Sequence, residues 1–157
     1  MENWSRTFLK RLEQELAPYR EDCIFLEAEG SNPDTLRQMF DVGKEDPEPV
    51  VTDIAVFSME DGAQLLHIYT EIAYEVDESA ASKLLEAVNR QNVQALLGTF
   101  GYAREEAQLF HRYTMLVEEP EDMEAFVAQV VRILDLSLGG IGLCYEELYG
   151  IAKEGIG

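Results

Sequence analysis

The sequence predicts an α+β fold, with helices packed on an antiparallel sheet and two strand–strand–helix units after an N-terminal helix. The main observation is a repeat: AQLLHIYT at residues 63–70 returns as AQLFHRYT at residues 107–114, with six of eight positions identical. Each copy follows a strand-like segment and a turn, and each precedes an amphipathic helix. A unit that occurs only twice indicates a duplication or convergence on one design rather than a solenoid.

The first part of the chain begins with an amphipathic helix, which Pro18 ends. Residues 23–26, Cys-Ile-Phe-Leu, predict a strand, and residues 36–40 are compatible with a short helix or a strand. Residues 30–49 form a mixed connection, and its acidic end, KEDPEP, is expected to be the most mobile loop. The helix is indicated by apolar residues four positions apart: Trp4, Phe8, Leu12 and Leu16.

The first unit extends from residue 50 to about residue 92. Residues 50–59 are rich in β-branched and apolar residues and predict a strand. The turn EDG follows, and residues 64–76 predict a long second strand. Asp77 is a suitable N-cap for a helix that ends near Asn92, because the apolar residues after it recur at helical spacing.

The second unit repeats this order. Residues 95–103 and 108–117 predict two paired strands. Pro120 suits the first turn of a helix, whose apolar stripe extends to Leu134. A short closing helix is expected at residues 145–152. Before it, three glycines are expected to end the long helix: Gly139, Gly140 and Gly142.

The composition restricts the partners of this chain. At 157 residues it fits a single domain spanning residues 1–157. It has 31 acidic and 12 basic residues, a formal charge of −19, so nucleic-acid phosphates and anionic membranes should be repelled, and we expect neither as a partner.

The longest uncharged run, residues 91–103, is too short to cross a membrane. The charged N-terminus is unlike a signal peptide, which favours a cytoplasmic protein.

The only two histidines, His67 and His111, occupy the same position in the two octapeptides. They could form a catalytic or metal-binding pair, or they could belong to a half-buried sheet face. Zinc sites need three or four ligands, and the spacing indicates no third one. The chain also has no GxSxG, HExxH or P-loop motif. We therefore assign no catalytic residue, no metal ligand and no cofactor.

The second interpretation of the repeat predicts an interface. Side chains alternate along a strand, so alternate residues of each octapeptide should share a face. Both faces of the predicted sheet carry more apolar area than one helical layer needs, and a second subunit or a partner should cover part of it. The alternative is that the helices cover the histidine-bearing face completely. The candidate interface residues are Leu65, His67, Tyr69, His111, Tyr113 and Met115.

Three segments carry a resemblance to a known family: LLEAVNRQN at residues 84–92, LLGTF at residues 96–100 and FHRYTMLVEEP at residues 110–120. Over about residues 80–136, the chain resembles the YbjN-like family, whose members are similar in fold to type III secretion chaperones. The resemblance implies an acidic cytosolic protein, often a dimer, whose helices pack on a curved antiparallel sheet. It also implies an outer surface that binds an extended segment of a partner, and no enzymatic activity.

The sequence therefore favours a non-enzymatic, chaperone-like or regulatory protein-binding module that forms a homodimer. Because the chain is acidic, the bound segment should be neutral or basic and should carry apolar anchors. The rival hypothesis is a small-molecule or metal-binding enzyme that uses His67 and His111. A structural domain of a larger assembly is a third possibility.

Overall fold

The computed structural model describes residues 3–19, 22–42 and 49–154. Apart from Pro49, the predicted loop KEDPEP lies outside these residues. The described chain forms one sheet of six strands and three α-helices, and all neighbouring strands are antiparallel. The α+β class that the sequence predicts is confirmed.

The helices and strands have the following bounds. The helices are α1 (Trp4–Leu16), α2 (Ala81–Gln94) and α3 (Met123–Glu154), and short 3-10 turns occupy Ala17–Tyr19 and Glu78–Ala80. The strands are β1 (Cys23–Leu26), β2 (Thr35–Phe40), β3 (Val50–Ser58), β4 (Gln64–Ala73), β5 (Thr99–Ala103) and β6 (Gln108–Val117). Their order in the sheet is β1-β2-β3-β4-β6-β5, so the strands that carry the two octapeptides, β4 and β6, are neighbours.

Both predicted strand–strand–helix units are present, as β3–β4–α2 and β5–β6–α3. Residues 36–40, which the sequence left between helix and strand, belong to β2 because alternate residues, Leu36 and Gln38, are buried. The predicted strand at residues 95–103 is shorter than expected. Gly98, with a φ of +70°, turns the chain just before β5 begins.

The predicted end of the last helix is wrong. Gly139, Gly140 and Gly142 lie inside α3, which is continuous. Each glycine costs a helix roughly 1 kcal/mol relative to alanine. Ile141, between the glycines, and Leu148, beyond them, are fully buried, and burying such a side chain stabilises a fold by about 1.5–3 kcal/mol. Packing of the second half of α3 therefore outweighs its poor helix propensity.

By length and composition alone, one helix in the described part of the chain could cross a membrane: Met123–Lys153, with a mean hydropathy of 1.5. Arg132 and Asp135 interrupt its apolar residues, which is why no long uncharged run marks it in the sequence. In the fold, Val130 and Leu134 of this helix are buried in the core. Core helices of globular proteins have a similar composition, so the helix is weak evidence for a membrane span.

The helices cover one face of the sheet and bury two apolar clusters there. The first, the α1 cluster, joins α1 and the first half of α3 to the sheet, and its buried members include Phe8, Leu36, Ile54, Leu66 and Val130. The second, the α2 cluster, joins α2 and the second half of α3 to the sheet, and its buried members include Leu84, Leu109, Ile141 and Leu148.

Buried polar side chains separate the two clusters. The strand register aligns four of them across β2, β3, β4 and β6: Gln38, Thr52, Thr70 and His111. The hydroxyls of Thr52 and Thr70 are hydrogen-bonded at 2.9 Å. On α3, the buried Ser137 lies between Leu134 of the α1 cluster and Ile141 of the α2 cluster. We call these five polar side chains the polar row.

The side chain of Asn92 connects α2 to the edge strand β5 through two hydrogen bonds. Asn92 Nδ2 donates to the Phe100 carbonyl at 2.9 Å, and the Phe100 amide donates to Asn92 Oδ1 at 2.7 Å. Because β5 pairs with β6 on one side only, these bonds satisfy backbone groups that would otherwise form an open sheet edge.

Replacing Asn92 by alanine should lower the free energy of unfolding by about 1–3 kcal/mol, because two backbone groups lose their partners. Asn89, exposed on the same helix, is the matched control, and Asn89→Ala should change the free energy by less than about 0.5 kcal/mol. Urea denaturation followed by circular dichroism measures both variants. Equal effects of the two substitutions would show that the Asn92 contacts do not stabilise the edge.

Candidate functional site

The strand register places the two octapeptide histidines on opposite faces of the sheet. In the antiparallel pair β4–β6, His67 lies opposite Thr114, whereas Thr70 lies opposite His111. Directly opposite residues point to the same face, and successive residues alternate between faces. His67 and Thr70 are an odd number of positions apart, so His67 and His111 point to opposite faces.

The predicted interface of six residues is therefore wrong as a single surface. The face that none of the described helices covers, which we call the open face, carries Leu65, His67 and Tyr69, and the helix-covered face carries His111, Tyr113 and Met115. The hypothesis that His67 and His111 converge on one substrate or metal is contradicted by the same register, because the sheet lies between them. Within the described residues, no three His, Cys, Asp or Glu side chains are grouped to hold a metal ion.

The covered half of the predicted interface belongs to the core. Tyr113 and Met115 pack against the α1 cluster. His111 is buried in the polar row, and its Nε2 lies 2.9 Å from the Leu97 carbonyl oxygen. Because a carbonyl only accepts, Nε2 carries the hydrogen. Burial lowers the pKa of His111, so the imidazole is uncharged at neutral pH.

An aromatic band crosses the open face on β3, β4 and β6. The His67 ring contacts Phe57 edge-on at 5.5 Å and Tyr69 at 6.0 Å between ring centroids, and Tyr69 stacks on Phe110 at 5.1 Å. Phe110 also covers Gly101 of β5, where a Cβ would come within 2.4 Å of the ring. We use the name aromatic band for Phe57, His67, Tyr69 and Phe110.

The aromatic band is uncharged at neutral pH. Burial lowers the pKa of His67. Burial and, second, the neighbouring Glu71 raise the pKa of Tyr69 to about 12. The Tyr69 hydroxyl donates to Gln108 Oε1, and Gln108 Nε2 donates to Glu71 Oε2 at 2.8 Å. These contacts hold the Tyr69 ring in place, and the band offers ring faces to a ligand rather than a nucleophile or a charge.

Two grooves adjoin the aromatic band. The larger, about 600 Å³, extends from His67 and Tyr69 across β2 to Leu26 on β1. The smaller, about 350 Å³, is lined by apolar residues of β1, β2 and β3: Ile24, Met39 and Val51. Both grooves include Tyr69 of the band, so the band and the grooves adjoin on the open face, and their lining contains apolar, aromatic and charged side chains.

The border of this surface is acidic. Glu27 and Glu29 line the larger groove, and Glu71 lines the smaller one. Arg37, which lines both, is already paired with Asp53 through two hydrogen bonds of 2.8 and 3.0 Å. Arg112 of β6 also points to the open face, opposite Tyr69, but Asp22, Glu27, Glu29 and Glu71 outnumber it. A ligand on the open face would therefore meet net negative charge.

Sequence reasoning found Leu65, His67 and Tyr69 of the open face but missed Phe57 and Phe110. Phe57 lies opposite Leu65 on the neighbouring strand. The short turn between β3 and β4 fixes their register, so the sequence contained a signal for Phe57. The position of Phe110 beside Tyr69 depends on the β4–β6 register. No short turn joins those two strands, so the sequence contained no comparable signal for Phe110.

Comparison with known proteins shows the fold. No protein-family profile matches the chain, and no curated protein matches it in sequence. Among solved structures, the chain is similar to YbjN of E. coli, described as a candidate transcription regulator. The two share 14% sequence identity, with a TM-score of 0.52, over 90% of this chain and 92% of the other. The chain therefore has a YbjN-like fold, as the sequence resemblance implied.

Proposed function

We propose that this chain is a non-enzymatic protein-binding module whose open face binds an extended segment of another protein. The observation that carries the proposal is the aromatic band, which none of the described helices covers. Aromatic side chains and Met are enriched in the centres of protein interfaces, and Met39 lies beside the band. A groove along a sheet suits an extended segment, because its alternate side chains can enter successive pockets.

The bound segment is neutral or basic and carries apolar or aromatic anchors. The chain has a formal charge of −19, and Glu27, Glu29 and Glu71 border the open face, so an acidic segment would be repelled. The same charge disfavours nucleic acid and anionic membranes. If the module is a regulator, as its structural neighbour is described, it acts through contacts with protein.

The proposal treats residues 1–157 as one functional unit that acts in the cytoplasm. Cys23 and Cys144 are both free thiols. Unpaired cysteines are usual in reducing compartments, where disulfides are rare.

Selection of phage-displayed random peptides on the immobilised chain tests the proposal. We expect the selected peptides to share apolar or aromatic anchors and a net charge of zero or above. Leu65→Asp places a carboxylate on the open face and should weaken binding of a synthetic peptide of the selected consensus at least ~10-fold. Leu85 is an exposed leucine of α2, on the helical side, and Leu85→Asp should leave the affinity unchanged.

Three results would count against the proposal. A consensus peptide that binds the Leu65→Asp variant as tightly as the original chain would show that binding takes place elsewhere. Selection of acidic peptides would contradict the chemistry of the segment. Failure to enrich any peptide would contradict the function itself.

We also propose that the chain is a homodimer at micromolar concentration, with a second copy covering the open face when no client is bound. Light scattering should then give about twice the chain mass of 17.8 kDa, and the selected peptide should dissociate the dimer. Leu65→Asp should give a monomer. A monomeric mass for the unmodified chain across the micromolar range would contradict the dimer but not the peptide site.

A further inference from the structure

A groove of about 640 Å³ opens on the helical side of the molecule, between the end of α2, the loop before β5 and the middle of α3. Its apolar walls come from the loop and from α3: Ala95, Leu96, Leu97, Leu136 and Leu143. Leu96 and Leu143 are 97% and 92% exposed at its mouth. This groove is separated from the open face by the sheet, so an inference drawn from it is independent of the proposed function.

Two glycines of α3 give the groove its width. Gly139 and Gly140 line it, and a Cβ added to either would meet no other atom within 4 Å. Larger side chains at these positions would extend into the groove. Each glycine costs the helix roughly 1 kcal/mol, and no packing contact in the described part of the chain explains why alanine is absent there.

The groove also reaches one end of the polar row. His111 and Ser137 both line it, and both are more than nine-tenths buried. Neither His111 Nδ1 nor Ser137 Oγ has a hydrogen-bond partner in the described part of the chain. A buried polar atom without a partner costs about 1–3 kcal/mol, so such atoms beside a groove indicate that something else satisfies them.

The hydrogen bond that His111 already makes determines which chemical group a ligand in the groove must offer to its other ring nitrogen. Its Nε2 donates to the Leu97 carbonyl, so in the uncharged ring Nδ1 has no hydrogen and can only accept. Ser137 Oγ can donate or accept. Both atoms are covered in the free chain, so a ligand reaches them only if the side chains between them and the groove move aside. The ligand must also bring a donor to Nδ1, and a hydroxyl or an amide N–H would do so.

We propose that this groove binds a small uncharged amphiphile, with an apolar body against Leu96, Leu136 and Leu143 and a hydroxyl or amide N–H directed to His111 Nδ1 and Ser137. The volume lies within the range of about 300–1,000 Å³ that is usual for small-molecule sites. Asp135 also lines the groove, and with the acidic surface it disfavours a carboxylate or a phosphate ligand. The class that fits is medium-chain alcohols and primary amides.

Titration with three probes tests this assignment: 1-octanol, its methyl ether, which lacks the donor, and octanoate, which adds a charge. The ¹⁵N resonances of the imidazole rings report binding, because the chain has only two histidines and His67, on the open face, is an internal control. We expect 1-octanol to shift the His111 Nδ1 resonance saturably and to leave His67 unchanged. The ether and octanoate should bind at least ~10-fold more weakly.

Two matched variants of α3 locate the site. Gly140→Leu fills the groove with a residue of better helix propensity and should abolish the octanol shift without unfolding the chain. Gly150 also lies in α3, and a Cβ added there would likewise meet no other atom within 4 Å. It does not line the groove, so Gly150→Leu should retain binding. Ser137→Ala should weaken octanol binding while preserving the fold.

Several outcomes would overturn the proposal. These are no saturable shift with 1-octanol, equal binding of the ether, or binding that survives Gly140→Leu. A His111 shift that follows protein concentration, together with a doubled mass in light scattering that Gly140→Leu abolishes, would assign the groove to a second copy of the chain instead.

Discussion

Replacing Leu66 by aspartate is expected to unfold the protein. Leu66 lies in the α1 cluster and is fully buried. The substitution removes a large apolar side chain, at a cost of about 2–5 kcal/mol. It also buries a carboxylate without a partner, which costs several kcal/mol more or forces its protonation. Because small proteins are stable by only about 5–15 kcal/mol, the two effects together approach or exceed the whole free energy of unfolding.

The adjacent residue provides a matched control. Leu65 has the same side chain on the same strand but points to the open face, opposite Phe57 on β3 and Leu116 on β6. Leu65→Asp should change the free energy of unfolding by about 1 kcal/mol or less, since the carboxylate reaches water. Far-UV circular dichroism and urea denaturation compare the two variants. A folded Leu66→Asp protein with an unfolded Leu65→Asp protein would show that the register of β4 differs by one residue.

Gly98→Ala is expected to have the second largest effect, a loss of about 3 kcal/mol or more. Gly98 has a φ of +70°, which is unfavourable for residues with a Cβ. The added Cβ would also lie 2.5 Å from His111 Cε1 and 2.6 Å from the Arg112 carbonyl oxygen. The carbonyl belongs to β6, and the ring is held by Leu97, so neither group can move freely.

Gly30→Ala separates the backbone effect from the close contact. Gly30 has a similar φ of +62°, but a Cβ there would have no atom within 4 Å. This variant should lose only about 1 kcal/mol, the cost of the backbone conformation. Thermal denaturation of both variants measures the difference. Equal losses would mean that the loop before β5 moves away and that the contact with His111 is not tight.

Local periodicity predicted most of the secondary structure. β6 was expected at residues 108–117 and has those bounds, because a turn precedes these residues, aromatic and β-branched side chains are frequent among them, and an acidic segment with a proline follows. α1 was likewise predicted from apolar residues four positions apart. The end of α3 could not be predicted in this way. Its glycines favour a break, and only burial of Ile141 and Leu148 in the α2 cluster keeps the helix continuous.

The sequence correctly predicted only half of the candidate site. Leu65, His67 and Tyr69 alternate along one strand, so sequence alone placed them on one face. That His111 and Tyr113 belong to the other face could not be inferred from the repeat. Each octapeptide predicts its own alternation but contains no information about how the two strands align.

By itself, the sequence determined the fold class, the two strand–strand–helix units and the acidic character of the surface, because these depend on composition and on neighbours along the chain. Only the tertiary structure decided which histidine faces solvent and which is buried. A shift of one residue between β4 and β6 would place both histidines on the same face. The register between these strands, which no short turn joins, is set by how the α1 and α2 clusters fill the space beneath the helices.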